Sequence, residues 1–255
     1  MRLSLCLGAL ILTACQPVSG EIPAGSLVSN SLCADSYLLS LPEVEPRIGA
    51  LSWQSRSELS RAADHLRQLP QLDANLERLA ALDNVTLIGE PGTDSGDIRL
   101  RYGETFEAVW ENFATLSAAL DTPDPSPDLR ARLDNLPKTD ASPRLLYLNR
   151  AGMTAGPGTF VDAVFKAVGA RNAVTTPGWH TPDVEQILTL SPDAVVTSFL
   201  RSNYHGAADM AVRHAALEKQ IADWPRIDIP GALWPCAGPG LVEAAEHLSA
   251  ELAAL

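Results

Sequence analysis

Aromatic residues are scarce: five Trp, four Tyr and five Phe make up 5% of a 255-residue chain. Long apolar runs are absent beyond the first fifteen positions, which excludes a multi-span membrane protein. Positive charge is in deficit, with 19 Lys and Arg against 31 Asp and Glu and a net charge of -12. Such a chain repels phosphate backbones, so no nucleic acid partner is expected. Catalytic and metal-site signatures are missing too: there is no GxGxxG, GK[ST], GxSxG, HExxH or CxxC. What remains is 46% hydrophobic residues, enough to bury a core in one domain or two small ones.

The one apolar run lies at the start. Arg2 precedes Leu3, Leu5, Leu7, Ala9, Leu10, Ile11 and Leu12, too short a stretch to span a bilayer. It ends in Leu12-Thr13-Ala14-Cys15, which resembles a bacterial lipobox. That implies a signal peptide over residues 1–14 and lipidation of Cys15. The membrane is then met through a lipid anchor only, and the protein is an exported, periplasmic lipoprotein. An ordinary signal peptide cut near Gly20 is the alternative. Residues 15–25 read as a polar, Pro- and Gly-bearing tether. Export would leave Cys33 and Cys236 as two thiols in an oxidising compartment, free to pair or to stay apart.

Strand and helix signals then alternate, which predicts an α/β fold with parallel sheets flanked by helices. Strands are expected over 26–30, 47–52 and 85–89, with helices over 35–41, 75–82 and 104–120. Three prolines in Thr122–Pro127 break the chain. A second series follows: a strand over 144–149, a helix over 159–168 and a helix over 183–190. Strands over 194–198 and 226–229 and a helix over 240–252 complete it. The halves echo each other. Asn75-Leu-Glu-Arg-Leu-Ala-Ala-Leu82 aligns with Asp183-Val-Glu-Gln-Ile-Leu-Thr-Leu190, placing Glu77 and Glu185 at the same point of each copy. Two similar lobes are therefore expected, the first over 26–102 and the second over 141–255, with residues 103–140 between them.

Several segments carry a specific resemblance. VSNSLCADSYLLSL with PRIGALSWQS, then LLYLNRAGMTAGPGTFVDAVFKAVGARN, GWHTPDVEQILTLSPDAVV and LWPCAGPGLVEAAEHL, occur in order over nearly all of residues 26–255. Together they resemble the periplasmic substrate-binding proteins that serve ABC importers of cobalamin and ferric siderophores. The resemblance implies two Rossmann-like lobes joined by a connecting helical segment over 103–140, ligand held between the lobes, a metal chelate or corrinoid as cargo, an ABC importer permease as partner, and no resident cofactor. It implies that Glu77 and Glu185 dock the two lobes on permease arginines; each also lies in a helix first turn, where negative charge is favoured anyway. It places Trp53, Trp179 and Trp234 near the cleft, where aromatic walls suit a flat chelate. Trp110 and Trp224 read as structural. His180, Tyr147, Tyr204, His205 and Met153 are donors able to contact a metal centre, without the spacing of a direct site. Arg150 is a candidate counter-charge for an anionic siderophore. Cys33 and Cys236 fall near the presumed cleft rim, where a disulfide would limit opening.

The chain departs from the family after Gly89, where GEPGTDSGDIRLRYG replaces the usual further helix and strand. The N-lobe is thus expected to be shortened, and the proline-broken connector implies lobes that open more widely. An orphan lipoprotein of the same fold without a transport role is one alternative. A small α/β enzyme holding phosphate on the Thr154–Thr159 loop is the other; neither nucleophile nor base stands out, and no enzyme activity is expected.

Overall fold

The computed structural model describes residues 21–73, 75–139, 141–149, 152–198 and 223–255. The expected signal peptide, Cys15, Arg150, Tyr204 and His205 lie outside them.

The first lobe opens with β1 (Leu27–Ser29), α1 (Leu32–Leu38) and β2 (Ile48–Ser52), and continues with β3 (Gln71–Leu72), α2 (Leu76–Ala80) and β4 (Thr86–Ile88). Its four strands run parallel in the order β3-β2-β1-β4. Residues 89–105 hold no helix or strand beyond an isolated bridge from Ile88 to Ile98. Among the described residues, the first lobe's sheet has as many strands as that of the second lobe.

Two helices connect the lobes: α3 (Phe106–Leu120) and α4 (Ser126–Asp134). Thr105 caps α3, its Oγ1 accepting from the Ala108 amide at 3.4 Å. Asp121 ends it in the left-handed region at φ 51°. Asp124 accepts from the Ser126 amide at 2.8 Å and starts α4. The proline-rich stretch therefore makes a corner between two helices rather than a kink within one.

The second lobe contains β5 (Arg144–Asn149), β6 (Thr154–Ala155), α5 (Phe160–Ala167), β7 (Arg171–Asn172), β8 (Trp179–His180) and α6 (Val184–Thr189). β9 (Ala194–Ser198), β10 (Arg226–Asp228) and the final α7 (Gly240–Ala253) follow. Its main sheet is parallel in the order β10-β9-β5-β7, while β6 and β8 form a small antiparallel ribbon. Sequence reading missed β3, β6, β7 and β8, each two residues long.

Alternation along the strands explains the layering. Leu145 and Tyr147 of β5 join one cluster, while Leu146 and Leu148 join another on the opposite face. In β1, Leu27 and Val28 divide in the same way. Both sheets are thus covered on both faces, as parallel sheets require. The outer faces are closed by Leu79 of α2 in the first lobe and Ile187 of α6 in the second. These are the aligned positions of the internal repeat, and β4 and β9, which follow them, each pair directly with the first strand of their sheet. The inner faces share one continuous cluster that also takes in Val109, Phe113 and Leu116 of α3 and Leu241, Ala245 and Leu248 of α7. No helix among the described residues is long and apolar enough to cross a membrane.

Candidate functional site

In each lobe a buried aspartate in the first helix reaches to the second strand. Asp35, fully buried, accepts from the Ser52 amide at 3.0 Å and Ser52 Oγ at 2.6 Å, and also from Ser29 Oγ. Burial pushes its carboxyl up to about 6, against the opposing pull of the Ser29 and Ser52 bonds. In the second lobe Asp162 Oδ1 accepts from Asn172 Nδ2 at 3.3 Å, and its Oδ2 meets Lys166 Nζ at 2.7 Å. Both aspartates pin the carboxyl-end loops, where open α/β sheets bind ligands.

The aromatic side chains at those ends differ sharply in exposure. Trp53, directly after β2, is 60% exposed. Trp179 on β8 is half-buried, its ring 5.0 Å from Phe160 and 5.9 Å from Tyr147. His180 beside it is half-buried, with Nδ1 3.4 Å from the Gly178 carbonyl. Trp53 and Trp179 therefore present ring surface at one strand-end region of each lobe.

Trp234 and Tyr147, also expected as ligand-wall residues, lie inside the packing. Each is 2% exposed, and Trp234 packs 5.7 Å from both Tyr147 and Phe160. Tyr147 backs the Trp179 ring directly, and Trp234 backs Tyr147 and Phe160. The Tyr147 hydroxyl is 2.9 Å from Ser198 Oγ, and burial pushes it up to about 12. Trp110 is buried in α3, with Arg130 5.1 Å above its ring. Trp224 is half-buried and packs on the outer cluster of the second lobe. Met153 holds the β5–β6 turn, its amide donating to Asn149 Oδ1 at 2.9 Å.

Three residues at this place escaped sequence reading: Tyr102, Glu104 and Phe160. Tyr102 is 57% exposed and donates its hydroxyl to Glu104 Oε1. Burial, together with the Glu104 carboxylate, pushes that phenol up to about 12. Glu104 Oε1 also accepts from Trp179 Nε1 at 3.1 Å, and Oε2 accepts from the Phe160 amide at 2.8 Å. This last bond fills the N-terminus of α5, where Thr159 caps the next turn and Gly158 donates to Asp162. A phosphate on the Thr154–Thr159 loop would have to displace the protein's own carboxylate. The loop's glycines have local reasons: Gly158 sits at φ 88°, and a Cβ on Gly156 would collide with the Thr176 carbonyl.

Cys33 and Cys236 form a disulfide. It ties α1 to the turn preceding α7, and Gly238 of that turn lies against Ser36 Oγ. The Arg61–Glu243 ion pair reinforces the junction. Arg132 of α4 grips Glu246 of α7 through two bonds of 2.8 and 2.6 Å. Glu77 and Glu185 are both exposed, in the first turns of α2 and α6.

Two parallel α/β lobes around a shared inner core, joined by helices and carrying aromatic side chains at their strand ends, define the architecture of a two-lobed substrate-binding protein. Solved structures of that class share it. The periplasmic haem-binding protein of Vibrio cholerae matches with a TM-score of 0.68 at 20% identity, over 89% of this chain and 98% of its own. A periplasmic haem-binding protein from Pseudomonas aeruginosa matches at 0.64 and 24% identity, covering 89% and 91%. The periplasmic vitamin B12-binding protein of Vibrio cholerae matches at 0.58 and 16% identity, covering 91% and 98%. Among curated proteins, cobalamin-binding proteins from two Halobacterium salinarum strains are 33% identical over 112 residues, 39% of this chain. The chain spans 30% of the length of these relatives in that match. No protein-family model matches. The chain has the fold that its sequence resemblance implies.

Proposed function

We propose that this chain is an exported substrate-binding protein of an ABC importer, holding a metal chelate between its lobes and presenting it to a permease. The observation that carries this reading is the shared two-lobed fold, combined with Trp53 and Trp179 as ring surfaces at the strand ends. A corrinoid or haem ranks ahead of a ferric siderophore, because the curated relatives are cobalamin-binding proteins and two structural neighbours are haem-binding proteins. The chelate is cargo rather than cofactor. The Cys33–Cys236 disulfide supports an oxidising compartment, and Cys15 would supply the lipid anchor. Glu77 and Glu185, exposed on repeat-related helices, suit a two-point electrostatic docking. Arg150 and Tyr204 remain candidates for ligand contact.

The test is a tryptophan-fluorescence titration of the purified chain against cyanocobalamin, haemin and a panel of ferric siderophores. Saturable quenching by one compound, weakened in Trp179→Ala, is expected. A folded chain that responds to none of them would overturn the reading.

A further inference from the structure

We infer that Glu104 is a positioning residue for Trp179, coupling the inter-lobe connector to the ring that faces the ligand. The inference rests on the binding role proposed for Trp179 above.

Glu104 stands two residues before α3, at the head of the connector. Its carboxylate accepts from donors on three separate pieces of chain: the Tyr102 hydroxyl, Trp179 Nε1 on β8 and the Phe160 amide at the start of α5. Neutral donors and the positive end of a helix thus hold its charge in place. Trp179 itself is wedged between Phe160 and Tyr147. Those rings restrict its plane but do not choose between the two ways round an indole can lie. The N–H bond to a fixed carboxylate makes that choice.

The far end of the lever is equally tied. Along α3, Phe113 packs edge-on to Tyr37 at 5.3 Å, and Asn112 Nδ2 donates to the Tyr37 hydroxyl at 2.9 Å. Tyr37 belongs to α1 of the first lobe. A shift of that lobe against the second is therefore carried along α3 to Glu104, and from Glu104 to the Trp179 ring.

The experiment is an NMR spectrum of the tryptophan side-chain N–H groups in the full chain, which has five tryptophans; Trp179→Phe identifies the Trp179 signal. In Glu104→Gln that signal is expected to move upfield while the others hold. In Tyr102→Phe, which frees Oε1 from a competing donor, it is expected to move downfield. With haemin and cyanocobalamin as probes, Glu104→Gln should weaken binding about tenfold in the wild-type background and not at all in Trp179→Ala. A Trp179 signal indifferent to both variants, or additive losses of affinity, would overturn the inference. If the signal moves as expected and the wild-type chain binds neither probe, the coupling stands and the ligand reading falls.

Discussion

Cys33 and Cys236 lie 203 residues apart and are covalently joined, α1 of the first lobe to the turn that enters α7 of the second. The proline-broken connector, taken alone, implies lobes that open widely. The disulfide, the Arg61–Glu243 pair and the common inner core reverse that expectation. Small-angle scattering of the oxidised chain should superimpose with and without ligand. The double variant Cys33→Ser/Cys236→Ser should be larger without ligand and contract on binding it. It should also lose about 2–5 kcal/mol of stability, the usual cost of removing a native disulfide. Identical profiles for the two forms would show that the core alone holds the lobes.

Asp35 gives stability a pH dependence whose sign follows from its raised pKa. The native carboxyl titrates at about 6 and its reference value is 3.8, so between these the folded state binds the extra proton. Its favourable contribution is full below 3.8 and is lost as pH rises through about 6. The difference is worth about 3 kcal/mol. Asp35→Asn cannot ionise, so its stability relative to wild type should improve by about that amount from pH 3.5 to pH 7.5. Urea unfolding at the two pH values measures this. An offset that is the same at both would mean that Asp35 ionises in the folded state as it does in water.

Much of this was legible in the sequence because period and punctuation are local. β5 and β9 fall where their apolar runs place them, and α3 ends where Asp121 and the prolines stop it. The repeat was readable because Leu79 and Ile187 must each close an outer sheet face, two residues after an exposed glutamate. The site was less legible. Trp53, Trp179 and Trp234 look alike as letters, and only packing separates an open ring from a sealed one. Glu104 looked like the first residue of a helix; its partners lie 56 and 75 positions away, a separation no local pattern encodes. The two-residue strands escaped because a period needs more residues than they have.

The contrast between two tryptophans separates packing from binding. Trp234→Ala empties a site in the inner core and should cost about 3–5 kcal/mol in denaturant unfolding. Trp179 is half-buried, so Trp179→Ala should cost less stability and weaken haemin or cyanocobalamin binding more. The reverse ranking, with Trp234→Ala stable and defective in binding, would require Trp234 to become exposed when ligand enters.

Glu77 and Glu185 give the docking proposal its sharpest consequence. Both are exposed in first turns, α2 and α6 are anchored by Leu79 and Ile187 facing the opposite way, and each glutamate belongs to a different lobe. Charge reversal at such positions should leave the fold and ligand affinity nearly unchanged, since surface substitutions of this kind stay within about 0.5 kcal/mol. Docking is another matter, because under that proposal each reversal would set a like charge against a basic group of the permease and suppress productive encounter. Glu77→Lys and Glu185→Lys should each reduce ligand uptake by cells or permease-bearing vesicles, the double variant most of all. Added salt should weaken wild-type docking and narrow the gap to the variants. Uptake that is unchanged in the double variant, with ligand binding intact, would move the permease contact to another face of the molecule.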